Sequence, residues 1–163
     1  MTARIGPIGP EHHTALLRLN TRFVHWLSPL DAPGLHALLS RCDYARQIGG
    51  RAFLLGYPGS TDHRHKNVDW LSARLRSYAY IDRVVVDPAA AGQGHMRALY
   101  ADFARWAEGR GLGRLACEVN TRPDNPASHR AHLALGFTAL GEAEHGELAV
   151  RYYVRGLAPK QQR

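Results

Sequence analysis

The sequence predicts an α/β protein with a mixed sheet, built as a single domain over residues 1–163. A strand that ends at Asp87-Pro88 leads through a glycine turn into a helix and then another strand, an order typical of parallel strands joined by a right-handed crossover. Upstream, two short apolar segments flank Gly49-Gly50, the residue pair that most readily takes positive φ in a tight hairpin. The hairpin adds antiparallel strands to the same sheet, so the sheet is mixed.

The composition is that of a folded globular protein. Hydrophobic residues make up 45% of the chain and charged residues 21%, which excludes an intrinsically disordered chain. No apolar run approaches the roughly 20 residues that span a bilayer, and the N-terminal stretch lacks the apolar region of a secretion signal. We therefore expect a cytoplasmic protein without a membrane partner.

The cysteine content and a net charge of +7 restrict the remaining classes. Cys42 and Cys117 are far apart and lack the spacing of a metal or redox motif, so we expect buried, unreactive thiols. Basic residues are spread along the chain, which favours a solvated surface over a nucleic-acid patch. A nucleic-acid partner is the weaker alternative, because the phosphates of a coenzyme suit the same charge.

The N-terminal half combines predicted helices with short strands. Ser28-Pro29-Leu30-Asp31 has the form of a capping box, so we expect it to start a second helix that ends near Ser40. The other predicted elements are an edge strand over Ala3–Pro7, a first helix over Glu11–Trp26, hairpin strands over Tyr44–Ile48 and Arg51–Tyr57, and a polar loop over Pro58–Asn67 that leads to a short segment around Trp70 and Leu75.

Glycine and proline set the element boundaries in the C-terminal half. The helix after the glycine turn is expected to end between Gly109 and Gly111. Asn125 before Pro126 predicts a capped helix start, and Gly136 predicts a left-handed helix end. The strands are predicted over Tyr80–Val86, Leu115–Val119, Thr138–Leu140 and Leu148–Val154.

The glycine turn, Gly92-Gln93-Gly94, is suited to a phosphate. Residues without bulky side chains leave backbone N–H groups exposed at the start of a helix, where the macrodipole adds about half a positive charge. The turn lacks the Lys-Ser/Thr pair of a Walker A loop and the third glycine of a dinucleotide-binding loop. A tight strand–helix connection would also explain it, so both interpretations stay open.

Around this turn the sequence resembles the GNAT acetyltransferases. Val84-Val85-Val86-Asp87-Pro88, followed by Ala91-Gly92-Gln93-Gly94-His95-Met96-Arg97-Ala98-Leu99, is similar to motif A of that family, which holds the pantetheine and pyrophosphate of acetyl-CoA. Glu118-Val119-Asn120 and Asn125-Pro126-Ala127, continuing through His132 to Gly136-Phe137, are similar to motif B. The resemblance spans Tyr80–Phe137, and Tyr80-Ile81-Asp82-Arg83 is further similar to a bacterial subgroup of predicted members.

The chain departs from the family pattern at three positions. Ala91 stands in place of Gln or Arg, Met96 in place of a small residue and His132 in place of the common Tyr. These departures concern the affinity for the cofactor, the space within the loop and the identity of the general acid.

The resemblance implies a single-domain α+β fold with a mixed, mostly antiparallel sheet of about six to seven strands, flanking helices and a central parallel strand–helix–strand crossover. It also implies an N-acetyltransferase that moves the acetyl group of acetyl-CoA, its cosubstrate, to a primary amine of an unidentified small molecule or peptide by direct attack. The cofactor-binding residues that it implies are Val84, Val85, Val86, Gly92, Gln93, Gly94, His95, Met96, Arg97 and Asn125. An acyl-CoA-binding module without catalysis is the alternative.

Acetyl transfer to an amine needs a base for the ammonium proton, donors for the oxyanion and a proton for the departing thiolate. Glu118 is the candidate base, and an ion pair with an arginine is its alternative explanation. Asp82 is a rival base, although a strand-surface salt bridge explains it better. The resemblance assigns the oxyanion to backbone N–H groups of Val84–Val86.

The resemblance makes His132 the catalytic acid, since imidazole donates protons near neutral pH. Packing against the cofactor, or a satisfied hydrogen bond in the core, is the alternative. Asn125 is also explained as a helix N-cap. Histidine pairs such as His63 and His65 lack a ligand pattern, so no metal is expected. No motif identifies the amine, and an exposed sheet edge would allow a homodimer.

Overall fold

The structure is a computed structural model that describes residues 4–158. Within that range the strands are β1 (Ile5–Pro7), β2 (Tyr44–Ile48), β3 (Ala52–Pro58), β4 (Ala79–Val86), β5 (Arg114–Arg122), β6 (Thr138–His145) and β7 (Leu148–Gly156). The α-helices are α1 (His13–Arg22), α2 (Ala32–Arg41), α3 (Lys66–Ser72), α4 (His95–Gly109) and α5 (Pro126–Ala134), and 3-10 turns lie at Pro10–His12 and Pro88–Ala90.

The strands of the described residues form one seven-stranded sheet in the order β1-β2-β3-β4-β5-β7-β6. β4 and β5 run parallel, with Ala79 opposite Leu115 and Tyr80 opposite Ala116. Antiparallel pairing joins β1 to β2, β2 to β3, β5 to β7 and β7 to β6. The predicted mixed, mostly antiparallel sheet with a parallel strand–helix–strand unit is confirmed.

The described residues form two compact units, and β4 and α4 each contribute to both. The first unit contains the residues up to Tyr57 together with Ile81–Arg105, and the second contains Pro58–Tyr80 and the residues from Trp106 onward. The first unit has a core of Leu16, Leu19, Leu35, Phe53 and Val85, drawn from α1, α2, β3 and β4. The second unit buries aromatic side chains, among them Tyr78, Tyr80, Phe137, Tyr152 and Tyr153.

The hairpin between β2 and β3 turns at Gly49 and Gly50, as predicted. Their φ angles are 57° and 66°, the pair of positive values that a two-residue type I′ turn requires. Arg51 N donates to Ile48 O at 2.9 Å, and Gly50 N donates to the side chain of Gln47 at 2.8 Å. The glycine pair therefore sets the register of β2 against β3.

Two predictions for the helices of the first unit are wrong in their bounds. The expected helix over Glu11–Trp26 is only α1, preceded by the 3-10 turn. Buried Asn20 donates through Nδ2 to the carbonyl oxygen of Ser28 at 3.0 Å. This tertiary hydrogen bond fixes Ser28 in the loop between α1 and α2. The N-cap of α2 is therefore Asp31, whose Oδ1 accepts from Gly34 N at 2.8 Å, and not Ser28.

The edge strand expected over Ala3–Pro7 is present as β1, while Ala3 itself lies outside the described residues. At the far edge, β6 is longer than the expected strand over Thr138–Leu140, and its pairing with β7 shifts register between Ala139 and Gly141. The glycine at this bulge hid the continuation of the strand, because a strand interior rarely contains one.

Helix α3 replaces the end of the predicted polar loop. The loop was expected to run to Asn67, but the helix begins at Lys66 and buries Val68 and Leu71. Tyr78 Oη donates to the carbonyl oxygen of Val68 at 3.1 Å, which ties α3 to the segment before β4. Two apolar residues in a polar stretch are too weak a periodic signal to predict so short a helix.

The two C-terminal helices follow the prediction closely. Asn125 caps α5 by accepting from Ser128 N at 3.3 Å, and Gly136 follows that helix with φ of 89°. α4 buries Leu99 and Phe103, as its apolar stripe predicted. Within the described residues, none of the helices has both the length and the apolar composition for a bilayer crossing.

Candidate active site

The glycine turn joins β4 to α4 in the first unit. Gly92 and Gly94 have φ of 80° and 77°, and a Cβ added at either would meet nothing within 4 Å. The bond from Ala98 N to Gly94 O, at 3.0 Å, belongs to the first helical turn. The backbone N–H groups of residues 95–97 precede this bond and have no acceptor within the helix. The turn therefore presents backbone N–H groups at the positive end of a 15-residue helix.

Asp87 determines where β4 stops and the turn begins. Its Oδ1 accepts from Ala89 N at 2.9 Å, which caps the 3-10 turn after the strand. Its own N–H donates to Arg51 O at 2.7 Å and anchors the same point to the hairpin. Hydrogen bonds of Asp87 therefore fix the start of the loop to the 3-10 turn and to the hairpin.

The other cofactor residues implied by motif A differ in exposure. Gln93 and Arg97 are exposed, Val84, Val86 and Met96 are half-buried, and Val85 and His95 are buried. Val85 packs in the core of the first unit, so its side chain is committed to the fold. A ligand would therefore contact Val85 through its main-chain atoms.

Asp82, the rival base, lies in a polar network of the first unit. Its Oδ2 accepts from Tyr57 Oη at 2.8 Å, and its Oδ1 lies 2.9 Å from Arg83 Nε. Arg83 also donates to Asn20 Oδ1 at 2.7 Å and to Ser28 Oγ at 3.2 Å. The side chains of Asp82 and Arg83 are only 11% and 9% exposed, so this ion pair lies inside the unit rather than on its surface.

Glu118 lies on β5 in the second unit, half-buried among hydrogen-bond donors. Tyr80 Oη is 2.8 and 2.7 Å from the two carboxylate oxygens, and Asn67 Nδ2 donates to Oε1 at 3.0 Å. Neutral donors to a carboxylate favour its ionised form. An ionised carboxylate held in this way is chemically suited to accept a proton.

Asn67 is itself held from the other side. Its Oδ1 accepts from Tyr152 Oη at 2.8 Å, and the phenol oxygen lies 3.0 Å from His145 Nε2. The pKa of Tyr152 is raised, chiefly by burial and further by the charge of Glu118, while Arg74 opposes the change. Tyr152 therefore keeps its proton at neutral pH.

An aromatic stack fixes the ring of Tyr152. Trp70 of α3 stacks on it with 3.9 Å between ring centroids and 9° between planes, and the guanidinium of Arg74 lies 3.6 Å from the Trp70 ring. Gly141 leaves room for this arrangement, since a Cβ there would lie 2.8 Å from Trp70. On the other side of the network, the rings of His65 and Tyr80 are 5.3 Å apart.

His132 is 3% exposed on α5. Its Nδ1 lies 2.8 Å from the carbonyl oxygen of Ser128, which can only accept, so Nδ1 carries the hydrogen. Burial lowers the pKa of His132, the hydrogen bond to Ser128 opposes this, and His129 adds to the lowering. Its ring packs edge-on against Phe137, with 5.3 Å between centroids, and stacks on Tyr153 at 6.0 Å.

The pKa values of both thiols are raised, but only Cys117 is buried as expected. Cys42 is half-buried, and desolvation, with the charge of Asp82, raises its pKa to about 12. Cys117 is buried, which raises its pKa well above the usual value. Neither thiol forms the thiolate that a nucleophile needs near neutral pH.

Sequence reasoning missed the residues that surround Glu118. Asn67, Tyr80, Tyr152 and His145 come from α3, β4, β7 and β6, and no local motif joins them. The only available signal was polar tips on aromatic residues at buried strand positions, since such groups need partners when buried. Over the described residues, no group of three or more His, Cys, Asp or Glu side chains is arranged to hold a metal ion.

Comparison with protein families identifies the class. The model of the acetyltransferase (GNAT) family matches residues 35–137, and the chain belongs to that family. No protein of curated function matches the sequence.

Solved structures share the fold at low identity. Ard1 from Thermoplasma volcanium has a TM-score of 0.75 and 15% identity over 97% of this chain and 99% of that one. A ribosomal-protein-alanine N-acetyltransferase from Brucella melitensis has a TM-score of 0.67 and 18% identity over 94% and 99%. NAA60 from Arabidopsis thaliana, in complex with acetyl-CoA, has a TM-score of 0.71 and 12% identity over 96% and 100%.

Proposed function

We propose that this chain transfers the acetyl group of acetyl-CoA to a primary amine of a small molecule or peptide. The observation that carries the proposal is the open turn at Gly92 and Gly94, which exposes backbone N–H groups at a helix start in a chain of the GNAT family. Diphosphate is the ligand chemistry that such a turn suits. The complex of NAA60 with acetyl-CoA, in a protein of the same fold, supports this choice.

The donor would be bound by the first unit. The amides that follow Gly94 take the diphosphate, and exposed Gln93 and Arg97 stand beside them. Acetyl-CoA supplies an activated thioester carbonyl. Backbone N–H groups of Val84–Val86 donate to the oxygen of that carbonyl as negative charge develops on it.

Glu118 acts as the base. A primary amine is mostly protonated at neutral pH, and only its neutral form attacks a carbonyl carbon. The carboxylate, held by Tyr80 and Asn67, takes the first proton directly or through water. The neutral amine then attacks the carbonyl carbon and forms the C–N bond. The C–S bond breaks, and a second proton from the amine nitrogen passes to the departing thiolate sulfur.

His132 is assigned a packing role in this proposal. Donation to the thiolate would need a hydrogen on Nε2, but the neutral ring carries its hydrogen on Nδ1, bonded to Ser128. The lowered pKa makes the doubly protonated ring scarce at neutral pH. The burial and the bonded Nδ1 support this role over that of general acid.

Calorimetry with acetyl-CoA and thiol release with a panel of amines test the proposal. We expect binding, and thiol release with at least one amine among amino acids, polyamines and peptides with a free N-terminus. Glu118→Gln should lower the rate at least about 100-fold and leave binding intact, because a positioned base contributes that much. Glu144→Gln, an exposed glutamate of β6, is the matched control and should behave as the original chain.

Two results would contradict the proposal in different ways. Absence of binding at millimolar acetyl-CoA by folded protein would remove the donor site. Tight binding without transfer to any amine would instead indicate the non-catalytic acyl-CoA-binding module.

A further inference from the structure

A chain of hydrogen bonds leads from His145 to Glu118 within the second unit. His145 Nε2 lies 3.0 Å from Tyr152 Oη, which lies 2.8 Å from Asn67 Oδ1, and Asn67 Nδ2 lies 3.0 Å from Glu118 Oε1. The four residues come from β6, β7, α3 and β5. Three strands and a helix therefore meet at one carboxylate.

The direction of every bond in the chain follows from the donor chemistry. An ionised carboxylate only accepts, so Asn67 must turn its amide N–H towards Glu118. Asn67 Oδ1 then takes the single hydroxyl proton of Tyr152. The oxygen of Tyr152 can only accept from His145, so His145 carries a hydrogen on Nε2.

The protonation states suit this direction at neutral pH. Tyr152 keeps its proton because burial raises its pKa. Desolvation lowers the pKa of His145, and the charge of Lys66 adds to the effect, which favours the neutral ring. The bond to Tyr152 Oη then places the ring hydrogen on Nε2. The stacked ring of Trp70 restrains Tyr152, which leaves the phenol little freedom to choose another partner.

We propose that His145 is a positioning residue that orients the Glu118 carboxylate through Tyr152 and Asn67. The inference rests on the proposed role of Glu118 as the base. Without the hydroxyl of Tyr152 or the Nε2–H of His145, the amide of Asn67 loses the bond that fixes its rotamer. One donor to the ionised carboxylate is then weakened, and Glu118 holds its proton to a higher pH.

Other titratable and charged groups lie in the same region of the second unit. The charge of Lys66 acts on His145, and the charge of Arg74 acts on Tyr152. The charge of Glu118 acts on Cys117 and Tyr78. Tyr78 is also affected by Arg64 and Asp69. Tyr80 binds the carboxylate directly, and His65 packs on Tyr80.

Titration of Glu118 itself provides the first test. Protein labelled with ¹³C-carboxyl glutamate is titrated by NMR, and the Glu118 resonance is assigned by its loss in Glu118→Gln. In Tyr152→Phe and His145→Ala the midpoint should rise by about half a pH unit, the size expected for one weakened hydrogen bond. His145→Gln places an amide N–H near the original Nε2, so it should restore the original midpoint.

Tyr78→Phe is the matched control. It removes a buried hydroxyl of the same unit that is bonded to Val68 and Ser72 and not to any of the four residues that link His145 to Glu118. Its midpoint should stay at the original value. Equal midpoints in the original protein, Tyr152→Phe and His145→Ala would overturn the inference.

Thiol release from acetyl-CoA, with the best amine of the panel, separates this inference from the proposed function. We expect Tyr152→Phe and His145→Ala to lower kcat about threefold to tenfold, leave KM for acetyl-CoA unchanged and move the acidic limb of the pH profile upward. Full activity in Glu118→Gln would overturn the proposed base. Inactive Glu118→Gln beside fully active Tyr152→Phe and His145→Ala would overturn only the positioning role.

Discussion

Tyr57 Oη donates to Asp82 Oδ2 at 2.8 Å, while Arg83 binds the other carboxylate oxygen at 2.9 Å. Both oxygens of the rival base are thus engaged by donors inside the first unit. Glu118 accepts hydrogen bonds from two neutral donors, Tyr80 Oη and Asn67 Nδ2. This contrast leads to different expectations for the two carboxylates.

Asp82→Asn should destabilise the protein without removing the base. The substitution leaves the guanidinium of Arg83 largely buried without its carboxylate, which costs about 3 kcal/mol. Urea unfolding measures the loss, and thiol release from acetyl-CoA should continue at temperatures where the variant is folded. Asp69→Asn breaks the exposed pair with Arg64 and should cost no more than about 1 kcal/mol. A stable but inactive Asp82→Asn variant would make Asp82 the base instead.

Gly94→Ala should weaken acetyl-CoA binding through the backbone. At φ of 77° an alanine is strained by about 1–2 kcal/mol although its Cβ has space, so the loop relaxes and its amides move. Calorimetry should show about tenfold weaker binding, which corresponds to 1.4 kcal/mol. Gly109→Ala, within the same helix and equally uncrowded, should leave the affinity unchanged. Equal affinities in the two variants would show that the turn does not hold the donor.

Gly141→Ala should disrupt the aromatic stack. The added Cβ would lie 2.8 and 2.9 Å from Trp70, which must shift away from Tyr152. Overpacking of this kind costs about 1–3 kcal/mol, and the tryptophan fluorescence should change with it. Gly156→Ala in β7 meets nothing within 4 Å and serves as the control. Unaltered stability and fluorescence in Gly141→Ala would mean that Trp70 is not confined there.

His132 should make the stability depend on pH. Burial lowers its pKa in the folded state, so the unfolded state binds more protons as the pH falls through 6.5. Its contribution is complete above that pH and is lost on acidification towards the lowered folded pKa. Urea unfolding at pH 7.5 and pH 5.5 should show a smaller difference in His132→Asn than in the original chain.

Two other histidines provide the comparisons for that measurement. His145 also has a lowered pKa, so part of the pH dependence should persist in His132→Asn. His36→Gln, on the exposed side of α2, should retain all of it. The assignment would be refuted by a pH dependence that His132→Asn leaves unchanged.

Local backbone chemistry made parts of the fold predictable. Gly49-Gly50 predicted the hairpin and Asn125-Pro126 the start of α5, because positive φ and an N-cap are properties of a few adjacent residues. The same kind of reasoning failed at Ser28. Its carbonyl is bound by Asn20, eight residues away and buried, and a local capping pattern carries no information on such a bond.

By itself the sequence determined the family motifs, the glycine turn and the position of Glu118 on a strand, since each depends on residues within one short segment. Only the tertiary structure decided what surrounds that glutamate. Asn67 and Tyr80 are 51 and 38 residues from Glu118, and Tyr152 is 85 residues from Asn67. Contacts over such separations depend on the pairing of β5 with β7 and on the placement of α3, which the burial of apolar surface over the whole unit selects.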